Sequence, residues 1–217
     1  MLGRVLNALA NNFDMKLSAL SGGLKDNAIP TDAEAVVIFS DTDMSDISTP
    51  GHADIPANSA HASLQDLISK WNQIIRHECT HTDPDICITL EPVDLPAATM
   101  ADTSTHTVID VLMAYPNGVR KMSKDIAGLV QTSLNLGILS TIKPDDQSTN
   151  GMVSFKSSVR SSIGSEKDAL LNSLKSLATL AGGTLTVTGD YPAWEYREDS
   201  PLRDLMVKIF KQQYGKE

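Results

Sequence analysis

The chain has 217 residues, 41% of them hydrophobic and 21% charged, with a formal net charge of −9. This composition is ordinary for a soluble globular protein, and the acidic balance argues against a nucleic-acid backbone or an anionic membrane surface as the main partner. The sequence has two cysteines, too few for a disulfide framework, and it has neither an apolar run of about 20 residues nor a secretory signal pattern. It therefore predicts a cytoplasmic protein.

The first half of the chain is predicted to form a strand–strand–helix–strand unit over residues 13–93. A helix precedes this unit and has no N-cap residue before it, so the chain is expected to begin inside a longer helix. The turn between the first two strands is placed at Gly22-Gly23. The predicted elements are a helix over 2–12, strands over 14–20 and 35–39, a polar loop over 41–62, a helix with Ser63 as N-cap, and a strand over 86–92.

The second half repeats this order over residues 119–190. A linking helix leads into it and ends at the turn Tyr115-Pro116-Asn117-Gly118. The predicted elements are the linking helix over 106–115, a strand over 129–142, a polar loop over 143–151, a strand over 152–159, a helix from Ser165 to Leu180, a strand that begins at Leu185, and a last helix from Ser200 to about Tyr214.

The two units are interpreted as an internal duplication. Strands that alternate on one face, together with helices that carry one apolar stripe, predict an α+β fold. The expected architecture is a two-layer sandwich of an antiparallel sheet with the helices on one face. The turn Gly22–Pro30 and the segment Leu134–Ile138 occupy comparable places in the two units, and each contains an asparagine, Asn27 or Asn135.

His77-Glu78-Cys79-Thr80-His81 is a literal H-E-x-x-H motif. On a helix, the two histidines would share a face and could bind zinc, with the glutamate as general base. This stretch instead falls in the last turn of a predicted helix, where polar residues suit an exposed helix end. The small zincin with His77 and His81 as ligands is kept as an alternative, and the preferred interpretation has no metal site in this chain.

Arg160 ends a predicted strand of small and apolar residues. An arginine in this position can bind a carboxylate through two parallel hydrogen bonds. The competing interpretation is an ion pair with a neighbouring aspartate or glutamate. The spacing of the residues alone favours the ion pair, just as Asn27 and Asn135 are by themselves ordinary turn residues.

Several blocks of the sequence together resemble the bacterial aminoacyl-histidine (Xaa-His) dipeptidases of the dinuclear zinc peptidase superfamily. They occur in that family's order over nearly the whole chain, except in the loops at 41–62 and 94–105. The blocks are Gly22-Gly23-x3-Asn27-Ala28-Ile29-Pro30, Tyr115-Pro116-Asn117-Gly118-Val119, Thr132-Ser133-Leu134-Asn135-Leu136-Gly137, Val159-Arg160-Ser161-Ser162 and Tyr191-Pro192-Ala193-Trp194.

The resemblance implies that residues 1–217 are a lid, or dimerisation-type, domain of such an enzyme. In that family the lid closes over a dipeptide that a metal-bound hydroxide cleaves, with a glutamate as base. The zinc ligands and the base have no match here, so the resemblance implies zinc in a separate catalytic domain, no cofactor in this chain, and no activity of the chain alone. A homodimer is a further expectation.

Three positions match the family's lid motifs, namely Asn27, Asn135 and Arg160. The resemblance implies that Arg160 clamps the C-terminal carboxylate of the dipeptide and that an asparagine donates a hydrogen bond to its carbonyl or carboxylate oxygen. The alternative from a different functional class is a free-standing α+β binding or assembly module without a hydrolase partner.

Overall fold

A computed structural model of the chain describes residues 1–40, 59–142 and 151–215. Most of the predicted polar loops at 41–62 and 143–151 lies outside the described residues. The helices are α1 (Leu2–Ala10), α2 (Ser59–Glu78), α3 (Asp102–Ala114), α4 (Gly164–Leu180) and α5 (Pro201–Tyr214), and the strands are β1 (Met15–Gly22), β2 (Ala33–Phe39), β3 (Gly118–Met122), β4 (Val130–Ile142) and β5 (Met152–Ser161).

The strands form one antiparallel sheet in which β4 is central. β5 pairs with β4 along its length, from Thr132 opposite Ser161 to Ile142 opposite Met152. Because β5 occupies one edge of β4, β1 and β3 share the other edge, at opposite ends. β1 pairs there with 139–140 and β3 with 130–134, so residues 135–138 lie between the two partners.

The helices supply a buried layer against the sheet. The buried apolar residues of α1, Val5, Leu6 and Leu9, lie on one face of the helix, where they meet the inward-facing residues of β1. A smaller cluster holds α4 against β4. The first cluster contains Val5, Leu6, Leu9, Met15, Leu17, Leu20, Leu64, Ile68, Ile109 and Leu139, and the second contains Leu134, Leu170 and Leu174.

This arrangement confirms the predicted α+β fold with an antiparallel sheet. It corrects the element boundaries in places: α2 begins at Ser59 rather than after Ser63, and α3 begins at Asp102 rather than at 106. The last helix is confirmed with its signals, because the Ser200 hydroxyl accepts a hydrogen bond from the Arg203 amide and Gly215 follows with a φ of 64°.

The predicted strand at 86–92 is wrong, because its backbone is bound by side chains instead of by a neighbouring strand. The side-chain amide of Asn72 accepts from the Ile88 N–H at 2.7 Å and donates to the Ile88 carbonyl at 2.8 Å. Ile88 and Leu90 pack against the core. Their alternation with polar residues therefore reflects burial of one side of the segment and not pairing with a neighbouring strand. Likewise, residues 185–187 form no strand, and Leu185 and Val187 are exposed.

Strand β3 was not predicted, because its pattern carries no alternation. Its residues after Gly118 are all exposed, Val119 and Met122 among them. An edge strand with both faces open to solvent gives no period-two signal. Within the residues described, no helix is both long enough and apolar enough to cross a membrane.

Candidate substrate-binding site

The loop after β1 crosses β4 at the interval that β1 and β3 leave open. Gly23 and Gly137 touch at this crossing: a Cβ on Gly23 would lie 1.9 Å from the Gly137 carbonyl oxygen. A Cβ on Gly137 would lie 2.4 Å from the carbonyl oxygens of both Lys25 and Asp26. Gly137 is also the residue at which the β4–β5 register shifts. The glycine within the strand thus marks both a bulge and a close approach of two backbone segments.

The side chain of Asn135 fastens this loop to β4. Its Nδ2 donates to the carbonyl oxygens of Asp26 at 3.1 Å and Ala28 at 2.7 Å. The loop itself is a turn, in which the Ala28 amide donates to the Lys25 carbonyl at 3.3 Å. Asn135 therefore holds the two carbonyls that flank Asn27.

Asn117 completes the same edge of β4. Its Oδ1 accepts a hydrogen bond from the Leu136 amide at 2.7 Å, where neither β1 nor β3 supplies a partner. A strand edge without a strand neighbour needs such a substitute, because an unpaired backbone N–H is costly when shielded from water. In the sequence, Asn117 is placed only within the turn Tyr115-Pro116-Asn117-Gly118. That turn was the only sequence feature that could have indicated its role.

Arg160 lies on the same face of the sheet as Asn135. Directly opposite residues in an antiparallel pair share a face, as do residues two apart along a strand. Asn135 is opposite Ser158 and Arg160 is opposite Ser133, which makes Asn135 and Arg160 diagonal neighbours, roughly 7–8 Å apart at Cα. The intervening Leu134 is buried against α4, so this face is turned away from α4.

The side chains of Asn27 and Arg160 have no partner among the described residues. Each side chain is exposed, and among the described residues neither forms a hydrogen bond or an ion pair. The competing interpretation of Arg160, an ion pair with a neighbouring carboxylate, therefore has no partner in the part of the chain that is described. A ligand with a carboxylate and a second polar oxygen would suit an arginine guanidinium and an asparagine amide that have no other partner.

A large concave space in the described part of the chain lies elsewhere. It has a volume of about 2120 Å³ and opens between α3, α4 and β5. Arg160 and Asp26 are on its lining, whereas Asn27 and Asn135 are not. We place the candidate site at the loop crossing because the hydrogen bonds that fix Asn27 converge there.

The H-E-x-x-H motif is divided by the end of a helix. α2 ends at Glu78, so His81 lies in the turn that follows. Both carboxylate oxygens of Glu78 accept from Arg4, at 2.6 and 2.8 Å, and the Arg4 guanidinium also lies over Trp71. Across the described ranges, no group of three or more His, Cys, Asp or Glu side chains is placed to hold a metal ion. Glu78 therefore joins α2 to α1 through its ion pair with Arg4. Nothing in this arrangement supports the alternative of a small zincin.

The Arg4–Glu78 pair makes a prediction for acid stability. The hydrogen bond and charge of Arg4 lower the pKa of Glu78 below its usual 4.5. A lowered folded-state pKa stabilises the fold above the unfolded value, and that stability is lost as pH falls through the lower folded value. We expect the free energy of unfolding to fall with pH less steeply below 4.5 in the Glu78→Gln variant than in the wild type.

Urea unfolding between pH 6 and pH 3 measures this difference. Glu91→Gln is the matched control, because Glu91 is exposed and has no ion pair in the described residues. Both partners of the Arg4–Glu78 pair are partly exposed, so added salt should shrink the effect. Equal pH slopes for the wild type and Glu78→Gln would contradict the prediction.

The chain is similar over its whole length to part of two known dipeptidases. It is 29% identical over 216 residues to cytosol non-specific dipeptidase from Escherichia coli (strain K12), which covers 100% of this chain and 40% of that protein. It superposes on the crystal structure of aminoacylhistidine dipeptidase from Vibrio alginolyticus with a TM-score of 0.81 and 28% identity, over 99% of this chain and 39% of the other. No family model matches the chain. It thus spans about two fifths of these relatives, and the predicted resemblance is confirmed as homology to a part of them.

Proposed function

We propose that this chain, homologous to part of these dipeptidases, is the lid of a zinc-dependent Xaa-His dipeptidase. The observation that carries the proposal is the superposition of 99% of the chain on the Vibrio enzyme at a TM-score of 0.81. Two features of the positions that the sequence resemblance assigns to substrate binding support it. Asn135 binds the carbonyls on either side of Asn27 at the loop crossing, and Arg160 lies on the same sheet face as Asn135.

The lid's contribution is to bind and orient the substrate. Arg160 binds the C-terminal carboxylate of the dipeptide with its guanidinium fork, which matches the two oxygens. Asn27 donates a hydrogen bond to the oxygen of the scissile carbonyl, where negative charge develops during cleavage. A donor fixed before the reaction stabilises that charge without having to reorganise.

The described residues do not fit a zinc site. The nearest candidate is the His77–His81 motif, whose Glu78 is bound to Arg4 and whose second histidine lies beyond the helix. In the proposal zinc belongs to a catalytic part outside this chain, and no step at zinc is assigned to these residues. The proposed enzyme acts in the cytoplasm on dipeptides, with neither nucleic acid nor membrane as partner, and assembles as a homodimer.

The proposal predicts that catalysis requires more than these 217 residues. The purified chain with added zinc should hydrolyse aminoacyl-histidine dipeptides no faster than a zinc blank, because a lid supplies positioning but no nucleophile. The full-length product of the gene should hydrolyse them, and a chelator should abolish the activity. Release of free histidine measures both.

Two results would contradict the proposal. Dipeptide hydrolysis by the chain alone would show a complete active site within it, and its loss in a His77→Ala/His81→Ala variant would locate that site at the zincin motif. A full-length product without dipeptidase activity would favour a binding or assembly module instead.

A further inference from the structure

We propose that Asn135 is a positioning residue that acts on the substrate through Asn27, and that it does not itself bind the substrate. This inference rests on the proposed function and changes the role that the sequence resemblance assigned to Asn135. It is carried by the hydrogen bonds at the loop crossing.

The amide of Asn135 has no donor left for a ligand. A carboxamide nitrogen carries two hydrogens, and the Nδ2 of Asn135 already meets two acceptors, the carbonyl oxygens of Asp26 and Ala28. Both acceptors are carbonyls, which fixes the nitrogen toward the loop and leaves only Oδ1 on the other side. A carboxylate or carbonyl oxygen of a substrate needs a donor, so it cannot be bound by Asn135 in this arrangement.

Asn27 has the opposite character. It lies between the two carbonyls that Asn135 holds, its side chain is exposed, and its amide has no hydrogen-bond partner among the described residues. Both of its N–H donors are therefore available. Asn27, in the turn, offers the donor, and Asn135, in the strand, determines where the backbone that carries that donor lies.

The close contact of Gly23 and Gly137 fixes the distance between the loop and β4. The two backbones touch, so the loop cannot move closer to β4, and the Asn135 hydrogen bonds prevent it from moving away. A side chain on a backbone that is held from both sides has fewer positions to lose when it binds an oxygen, which favours electrostatic stabilisation. Removing the Asn135 amide releases one side of this restraint.

A double-mutant cycle on dipeptide hydrolysis by the full-length gene product tests the inference. Asn27→Ala is expected to lower kcat/KM about 100-fold, as the loss of an oxyanion donor does. Asn135→Ala, or the milder Asn135→Ser, is expected to lower it about 10-fold alone and less than about 2-fold in the Asn27→Ala background, since a residue that acts only through Asn27 has nothing left to position. Independent effects that multiply to about 1000-fold would overturn the inference, because they would show that Asn135 does not act through Asn27.

Amide hydrogen exchange in the 217-residue chain separates this inference from the proposed function. Asn135→Ala and Asn135→Ser should speed exchange at the Ala28 amide about tenfold or more, whereas the control Asn172→Ala, on an exposed face of α4, should leave it unchanged. Unchanged exchange in both Asn135 variants would overturn the inference. If the full-length product hydrolyses no dipeptide, the proposed function fails, and exchange still decides whether Asn135 holds the loop.

Discussion

The Arg160→Ala variant of the full-length gene product is expected to hydrolyse dipeptides with a kcat/KM lower by roughly 10²–10³-fold. Truncating one partner of a hydrogen-bonded charge pair costs about 2–5 kcal/mol, most of it from the partner left without its counter-charge. The substrate carboxylate is present both before and during the reaction. The loss should therefore appear mainly as a higher KM.

Three controls make this result specific to carboxylate binding. Lys156→Ala removes a cation from the same strand and face, because Lys156 and Arg160 are separated by Ser158 at strand spacing, and it should leave kcat/KM within about 2-fold. Arg160→Lys keeps the charge but loses the planar fork, and should restore only part of the activity. A dipeptide with its C-terminus amidated lacks the carboxylate, so Arg160→Ala should hardly change its hydrolysis.

Steady-state kinetics with the free and the amidated dipeptide measure these effects. Wild-type kinetics in Arg160→Ala would remove Arg160 from the site. Equal losses for the two substrates would show that Arg160 supports the fold or the closure of the lid instead of the carboxylate.

The second large effect is expected at Gly137. In Gly137→Ala the new Cβ would lie 2.4 Å from two carbonyl oxygens of the Lys25–Asp26 backbone, and no side-chain movement can relieve a clash between backbone segments. The loop must lift from β4 and break the Asn135 hydrogen bonds. We expect kcat/KM to fall about 100-fold, as when Asn27 itself is removed, and the free energy of unfolding to fall by about 1–3 kcal/mol.

Gly164→Ala is the matched control for Gly137→Ala. Gly164 is the first residue of α4, and a Cβ there would meet nothing within 4 Å. Alanine at this position should leave activity unchanged and stability equal or slightly higher, because alanine is the better helix former. Urea unfolding together with dipeptide kinetics distinguishes the two variants. A Gly137→Ala protein with the wild-type kcat/KM would show that the position of the loop does not matter for the reaction.

Much of the fold could be predicted from the sequence where the determinants are local. The apolar spacing of α1 and the alternation in β1 each report one buried face. The ends of α5 could be predicted because Ser200 and Gly215, which cap the helix, each act on the neighbouring turn of the chain. The predicted strand at 86–92 was wrong because burial against a helix produces the same alternation as pairing in a sheet, as Ile88 shows by bonding to Asn72. The predicted strand from Leu185 has no such explanation, since Leu185 and Val187 are exposed.

The sequence by itself showed the turn glycines of Gly22–Pro30, the glycine Gly137 in a predicted strand and the strand-end arginine Arg160, and Asn135 was assigned a role only by the family resemblance. Only the tertiary structure decided how they relate. It brought Asn135 to Ala28, 107 residues away in the chain. Both N–H donors of the Asn135 side chain bind carbonyls of the loop. The tertiary structure also placed Arg160 on the same face through the β4–β5 register. The physical reason is that the residue pattern reports which groups can form hydrogen bonds, whereas only the packed backbone determines which of those groups are already satisfied.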